Sequence, residues 1–424
     1  MKRIALAVLF VVFLLPSQAG RSSASFEISR AEYARVLTPL RAMELFKSTV
    51  QARGENLDHQ GVLIETLDGQ QVFASENSDS LFNPASVMKL ATSLAALKTL
   101  GPDYRYRTDV RADGRVDPAT HRLDGDLVIK GSADPMFSRI DAQELGTQIV
   151  RCGVSRVTGS LRIAGPFYYF ATGYRCNLSR ETSASKLRDA LRRAGVIIEG
   201  PTVFGAASGE ALVSHYSDRL IRILLYQNAV SSNAIAEVVG ESIGGPQAIQ
   251  DFLIRNAGVA EKDIFVGRPS GLDVNRITPR AALQVVRALI TVLADHSLEP
   301  EDAMPVAGVD SGTLRTRFAE DGIRGSVIAK TGTLVTIDNG VSTLVGLART
   351  RSRGTLLFAI FDSDGGVKGY RKVQDQFLSE VIKENGGGLQ SPRVEDALAN
   401  NPREAFSQII PRPPTDPSKT ATAD

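Results

Sequence analysis

The 424-residue sequence has no tryptophan, two cysteines and four histidines. His59, His121, His215 and His296 are scattered and form no HExxH or similar ligand pair, so a zinc hydrolase is not indicated. Cys152 and Cys176 lie in no Cys/His arrangement suited to nucleophilic chemistry. Charge of either sign is also scarce in net terms: 49 Lys and Arg against 47 Asp and Glu give +2. With no long basic stripe, nucleic-acid binding has no electrostatic footing. Beyond residue 20 no apolar run approaches the roughly 20 residues that a bilayer crossing needs. The sequence calls for no metal, no cofactor, no nucleic acid and no transmembrane span in the mature chain.

What is present describes an ordinary globular protein, with 43% apolar and 23% charged residues. The length suggests a main domain with an insertion or smaller partner. Lys2 and Arg3 precede an unbroken apolar run from Ile4 to Leu15, and Pro16-Ser17-Gln18-Ala19-Gly20 supplies small residues for cleavage after Ala19. Residues 1–19 therefore read as a signal peptide, and the chain as exported to the periplasm or another extracytoplasmic wall space. An uncleaved anchor is the alternative, but twelve apolar residues are short for a span. In that compartment the two cysteines can join in one disulfide, worth roughly 3 kcal/mol in the chain-entropy model. Two independent buried thiols remain the other reading.

Gly61 to Ser75 reads as a β-hairpin turning at Asp68-Gly69. After Asn83-Pro84-Ala85-Ser86, Leu90, Leu94 and Leu97 recur at helical spacing until Gly101. From about 109 to 205 short β-like runs and one helical piece, Leu187 to Ala194, read as an inserted β-rich subdomain. Asp218 to Gly240 is helical but broken at Val230-Ser231-Ser232-Asn233, where Ser231 or Ser232 can cap the second half. Pro279 to Ala294 is another helix. Ser326 to Leu334, Val341 to Arg349 and Thr355 to Phe361 are β-runs before a closing helix, Tyr370 to Lys383. Residues 387–424 read as a disordered tail. The expected fold is α/β (α+β): one antiparallel sheet flanked by helices, assembled from 20–108 and 206–386, with 109–205 inserted.

Three short motifs occur in order: Ser86-Val87-Met88-Lys89, Ser231-Ser232-Asn233 and Lys330-Thr331-Gly332. SxxK and SxN each arise about once by chance, and Ser183-Ala184-Ser185-Lys186 and Ser75-Glu76-Asn77 are such decoys. Context separates them: Ser86 opens a periodic helix, Asn233 follows an interhelical break, and Lys330 sits in a late β-run. Ser86 and Lys89 lie one turn apart on one helical face, where the macrodipole favours developing negative charge. No histidine is placed as base, so Lys89 must serve, which requires a lowered pKa. Burial and a second cation, Lys330, both push that way. Backbone N–H groups of Ser86 and Thr333 can hold an oxyanion. Ser231 can pass the proton to the leaving amine, Asn233 can orient Lys89 and the substrate, and Lys330, Thr331 and Thr333, with Gly332 between them, can grip a terminal carboxylate. Read singly, each motif has a bland structural alternative: an N-cap, a surface charge, an interhelical turn.

The motif set is the one shared by penicillin-binding proteins and class A β-lactamases. From Gly61 to Lys383 the chain resembles the low-molecular-mass class C penicillin-binding proteins, the D-alanyl-D-alanine carboxypeptidase/endopeptidase family. The resemblance rests also on Asn83 to Leu90, Leu100 to Arg105, Gly131-Ser132-Ala133-Asp134-Pro135, Ser270-Gly271-Leu272 through Asn275-Arg276, Thr278-Pro279, and Pro305 to Asp310 with Gly312-Thr313-Leu314-Arg315. It implies a transpeptidase-like domain, peptidoglycan stem peptides as substrate, and β-lactams as covalent inhibitors. Ser232 replaces the family's usual aspartate, Ser311 is an extra residue, and the stretch from Ser86 to Ser231 is short, as if one of two inserted domains were missing. A serine β-lactamase is one rival, although the class A ExxLN signature is absent. A catalytically silent wall-binding or penicillin-sensing protein is another.

Overall fold

The computed structural model describes residues 36–37, 40–170, 179–399 and 403–410. The expected leader at 1–19, Cys176 with its expected bond to Cys152, and residues 411–424 lie outside the described residues.

The chain begins β1 (Val36–Leu37), α1 (Arg41–Ala52), β2 (Gln60–Thr66), β3 (Gln71–Glu76) and α2 (Met88–Leu100). The β2–β3 turn follows from its residues: Asp68 accepts from the Gln70 N–H at 3.0 Å, and Gly69 takes φ +71°, open to glycine at no steric cost. In α2, Met88 through Leu97 are all buried. A helix covered on every side runs through the interior rather than over the surface.

The insertion follows as β4 (Arg107–Asp117), β5 (Arg122–Lys130), α3 (Arg139–Arg151), β6 (Arg156–Val157), β7 (Leu161–Ala164), α4 (Arg180–Arg193), β8 (Ile197–Ile198), β9 (Thr202–Phe204) and β10 (Glu210–Tyr216). β4 pairs antiparallel with β5 and β10. β6 and β7 run parallel to β5 at different points along it, and parallel pairing needs crossovers, which α3 and α4 provide. Val110, Leu127, Ile129, Leu145, Ile149, Leu187 and Leu191 form part of its own core. It reaches further than its sequence outline of 109–205, since β10 belongs to this sheet. It also carries two helices where the sequence showed only the end of one.

The chain returns through α5 (Leu220–Val230), α6 (Asn233–Ser242), α7 (Gly245–Asn256), β11 (Ile264–Phe265), β12 (Arg276–Ile277), α8 (Pro279–Asp295), β13 (Val327–Leu334), β14 (Val341–Thr350), β15 (Gly354–Ser363), α9 (Val367–Glu384) and β16 (Phe406–Ile409). The larger mixed architecture is the expected one: both chain ends build a sheet ordered β1-β3-β2-β15-β14-β13, antiparallel except for β1. β15 shows how it is covered. Leu357, Ala359 and Phe361 face the core that holds α2 and α8, while Leu356, Phe358 and Ile360 face the core of α1 and α9. Period-2 alternation with both faces buried gives a continuous apolar run.

The reading of 387–424 as a disordered tail is corrected over its described part. Gly388 bridges Thr350, Ser391 is buried, and β16 adds to the edge of the insertion sheet beside β10. The segment has little apolar residue to bury. Backbone pairing and ion pairs fix it, and composition does not report those.

Candidate active site

Ser86 sits at a strained bend. Asn83 Oδ1 accepts from the Ala85 N–H at 3.0 Å, and Ala85 adopts φ +48°, a costly region for a residue with a Cβ. A 3-10 turn, Ala85–Val87, then leads into α2. Ser86 therefore precedes the first full turn of the helix, half-buried, and Lys89 lies within that turn. Two glycines let other segments close on the bend. A Cβ on Gly271 would lie 1.8 Å from the Ala85 carbonyl, and one on Gly332 would lie 2.6 Å from that of Pro84.

Lys89 is fully buried. Its Nζ is 2.9 Å from Ser86 Oγ, 2.7 Å from Asn233 Oδ1 and 2.6 Å from the Ser270 carbonyl. Burial drives its pKa well below the ordinary lysine value, Lys330 adds to the effect, and Glu237 opposes it. Lys330 Nζ donates to Ser231 Oγ at 2.9 Å and to the Thr331 carbonyl at 2.7 Å. Burial lowers its pKa to about 7.

The interhelical break has a specific shape. Ser231 closes α5 with φ +59°, and Ser232 caps α6 by accepting from the Ile235 N–H. Aspartate caps as well as serine does, so the departure at Ser232 keeps the element. Thr331 Oγ1 is 2.8 Å from Thr313 Oγ1. Thr333 Oγ1 donates to the Gly332 carbonyl and accepts from Arg371 Nη2 at 2.7 Å. β13 is an edge strand.

Ser86, Lys89, Ser231, Asn233, Lys330, Thr331, Gly332 and Thr333 thus meet around one bend. The decoys do not. Ser183 is buried in α4, and Asn77 serves a turn by donating to the Leu57 and Gln60 carbonyls. Sequence reasoning assigned no role to Ser270, Glu237, Thr313 or Arg371. Ser270 and Thr313 fall in blocks that carried the family resemblance, so a signal was there. Glu237 and Arg371 had none.

The family model for D-Ala-D-Ala carboxypeptidase 3 (S13) matches residues 47–168 and 171–381, a span that holds all three motifs. The chain belongs to this family. Among curated members, carboxypeptidase DacB of Mycolicibacterium smegmatis is 27% identical over 360 residues, covering 72% of this chain and 76% of that protein. A D-alanyl-D-alanine carboxypeptidase of Actinomadura sp. is 33% identical over 100 residues, 24% of this chain and only 18% of that protein. The fold is shared with the predatory endopeptidase Bd3459 of Bdellovibrio bacteriovorus (TM-score 0.69, 22% identity, 82% of this chain and 99% of that one). It is shared too with penicillin-binding protein 4 of Haemophilus influenzae (TM-score 0.65, 18% identity, 80% of this chain and 98% of that one). No helix among the described residues is long and apolar enough to cross a membrane.

Proposed function

We propose that this chain is an exported serine DD-peptidase that cleaves the D-alanyl amide of peptidoglycan stem peptides through an acyl-enzyme on Ser86. The contact set of Lys89 carries the reading. Two of its three partners, Asn233 Oδ1 and the Ser270 carbonyl, can only accept. Burial and Lys330 drive the Lys89 pKa down, and the deprotonated amine keeps two N–H donors for these acceptors while its lone pair turns to Ser86 Oγ, 2.9 Å away. A buried lysine held neutral beside a hydroxyl is a general base.

The steps follow. Lys89 takes the Ser86 proton as Oγ attacks the carbonyl of the penultimate D-alanine. The oxyanion is stabilised by the N–H groups of Ser86 and Thr333. The proton taken by Lys89 passes through Ser231, beside Lys330, to the leaving nitrogen as the amide C–N bond breaks. Lys89, neutral again, takes a proton from the water that attacks the ester and returns it to Ser86 Oγ as the acyl C–O bond breaks. The edge of β13 can receive the peptide as an added strand, with Lys330, Thr331 and Thr333 at its terminal carboxylate. A β-lactam follows the same first steps. Its leaving nitrogen stays tethered and hinders water, so the adduct persists. Export rests on residues 1–19.

The test is digestion of purified muropeptides with masses of the products recorded. Loss of one D-alanine from pentapeptides, or splitting of cross-linked dimers, is expected, and neither should occur with Ser86→Ala. Intact muropeptides after incubation with the wild-type enzyme contradict the proposal. Nitrocefin should give about one equivalent of colour per enzyme, whereas rapid turnover would mark a β-lactamase.

A further inference from the structure

The extra residue Ser311 finds its partner in a segment that lies past the family match, which ends at 381. Ser311 Oγ donates to Asp396 Oδ2 in a short hydrogen bond, and Arg315 Nη1 reaches the same oxygen at 3.3 Å. The Ala397 N–H donates to Asp310 Oδ1 at 3.0 Å, with Asp310 fully buried. The 309–315 loop is thus gripped from its outer side.

Its inner side touches two catalytic motifs. The Thr313 N–H donates to the Ala229 carbonyl at 2.9 Å, two residues before Ser231. Gly312, at φ +124°, admits that approach, since a Cβ there would lie 2.2 Å from the Ala229 oxygen. Thr313 is exposed, and its hydroxyl meets Thr331 Oγ1 at 2.8 Å. A hydroxyl that is solvent-facing and bonded to the β13 threonine can donate to a carboxylate arriving at Lys330 and Thr331.

We propose that Thr313 is a specificity-determining residue for the substrate's terminal carboxylate, and that Asp396 positions it through Ser311 and Arg315. The proposal rests on the peptidase reading above. Asp396 and Ala397 then act on the active site, although they contribute no atom to it. Loss of the grip frees the loop, and the carboxylate loses about one charge-assisted hydrogen bond.

A matched pair of acyl-D-alanyl thioesters tests this, one ending in a carboxylate and the other in the carboxamide. In Asp396→Asn, and independently in Ser311→Ala, the ratio of kcat/KM for carboxylate over carboxamide should fall about tenfold, chiefly through KM. Turnover of the carboxamide should stay within about twofold. Thr313→Val should give the same fall in ratio. Asp396→Glu, which keeps the carboxylate, should recover part of it. An unchanged ratio, or equal loss on both esters, overturns the positioning role, and Ser311→Ala decides the matter if the Asp396 variants do not fold. A wild-type enzyme that hydrolyses neither ester contradicts the peptidase reading instead.

Discussion

Glu237 is the carboxylate that counterweighs the buried Lys89. It accepts from the Ser270 N–H at 3.2 Å and pulls the Lys89 pKa upward against burial and Lys330. Glu237→Gln removes that pull. The ascending limb of the acylation rate against pH should therefore move to lower pH, as measured by stopped-flow with a chromogenic cephalosporin. A shift to higher pH would contradict the assignment. Lys330 gives a second, thermodynamic reading. Its folded pKa is about 7, whereas the unfolded chain holds that proton to about 10.4. Between those values the unfolded state binds more protons, so stability rises with pH. The melting temperature of the wild-type enzyme relative to Lys330→Met should climb from pH 7 to 10. A flat difference would place the lysine in water. Neither shift was visible as a magnitude in the sequence. Its direction followed from two lysines brought together by motifs 241 positions apart, and Glu237 lies on α6 outside any motif.

At the scale of elements, the site depends on backbone segments approaching closer than side chains permit. A Cβ on Gly332 would lie 2.1 Å from Thr343 Oγ1 and 3.0 Å from Ala85 Cβ. Gly332→Ala should cost about 1–3 kcal/mol by overpacking and move β13 away from Ser86. Denaturant melts and penicillin labelling check both effects, and a fully active, equally stable variant would refute the contact. The interhelical break makes a milder case. Ser232→Ala should lose about 1 kcal/mol of cap energy, while Ser232→Asp should lose almost none; equal losses would show that the hydroxyl acts otherwise. The hairpin, the α5–α6 break, α8 and the last three strands were legible because turn residues and apolar periods agree there. α3 was not, although Ser138 and Asp141 form a capping box and Ala142, Leu145, Gly146 and Ile149 are buried at helical spacing. Small residues on that face diluted the apolar signal.

Across the whole molecule, the chain leaves the catalytic sheet, builds a second sheet with its own core, and returns. Its far C-terminal part then fastens to that insertion through β10 and Asp141 and to the two links that join it to the rest of the chain. Glu404 receives hydrogen bonds from Arg219 at 2.8 Å and Arg105 at 3.1 Å, and its N–H donates to Asp218 Oδ1 at 2.5 Å. Arg403 reaches Asp141 at 3.0 Å. Glu404→Ala should lower stability by about 1–2 kcal/mol while leaving kcat on a thioester within about twofold. Loss of activity without loss of stability would give this clamp a catalytic role it lacks here. Sequence reading failed for this segment because its strand is largely solvent-facing and held by pairing and charge, which are long-range. The site residues were legible for the opposite reason: chemistry demands particular side chains whatever the distance between them.

Peptide-mapping mass spectrometry after brief exposure to benzylpenicillin addresses the reacting pair itself. The mass of one penicilloyl group should appear on the peptide containing Ser86 in the wild-type enzyme and be absent in Lys89→Ala protein that retains its fold. An adduct on Ser183 or elsewhere, or undiminished modification of Ser86 without Lys89, would contradict it.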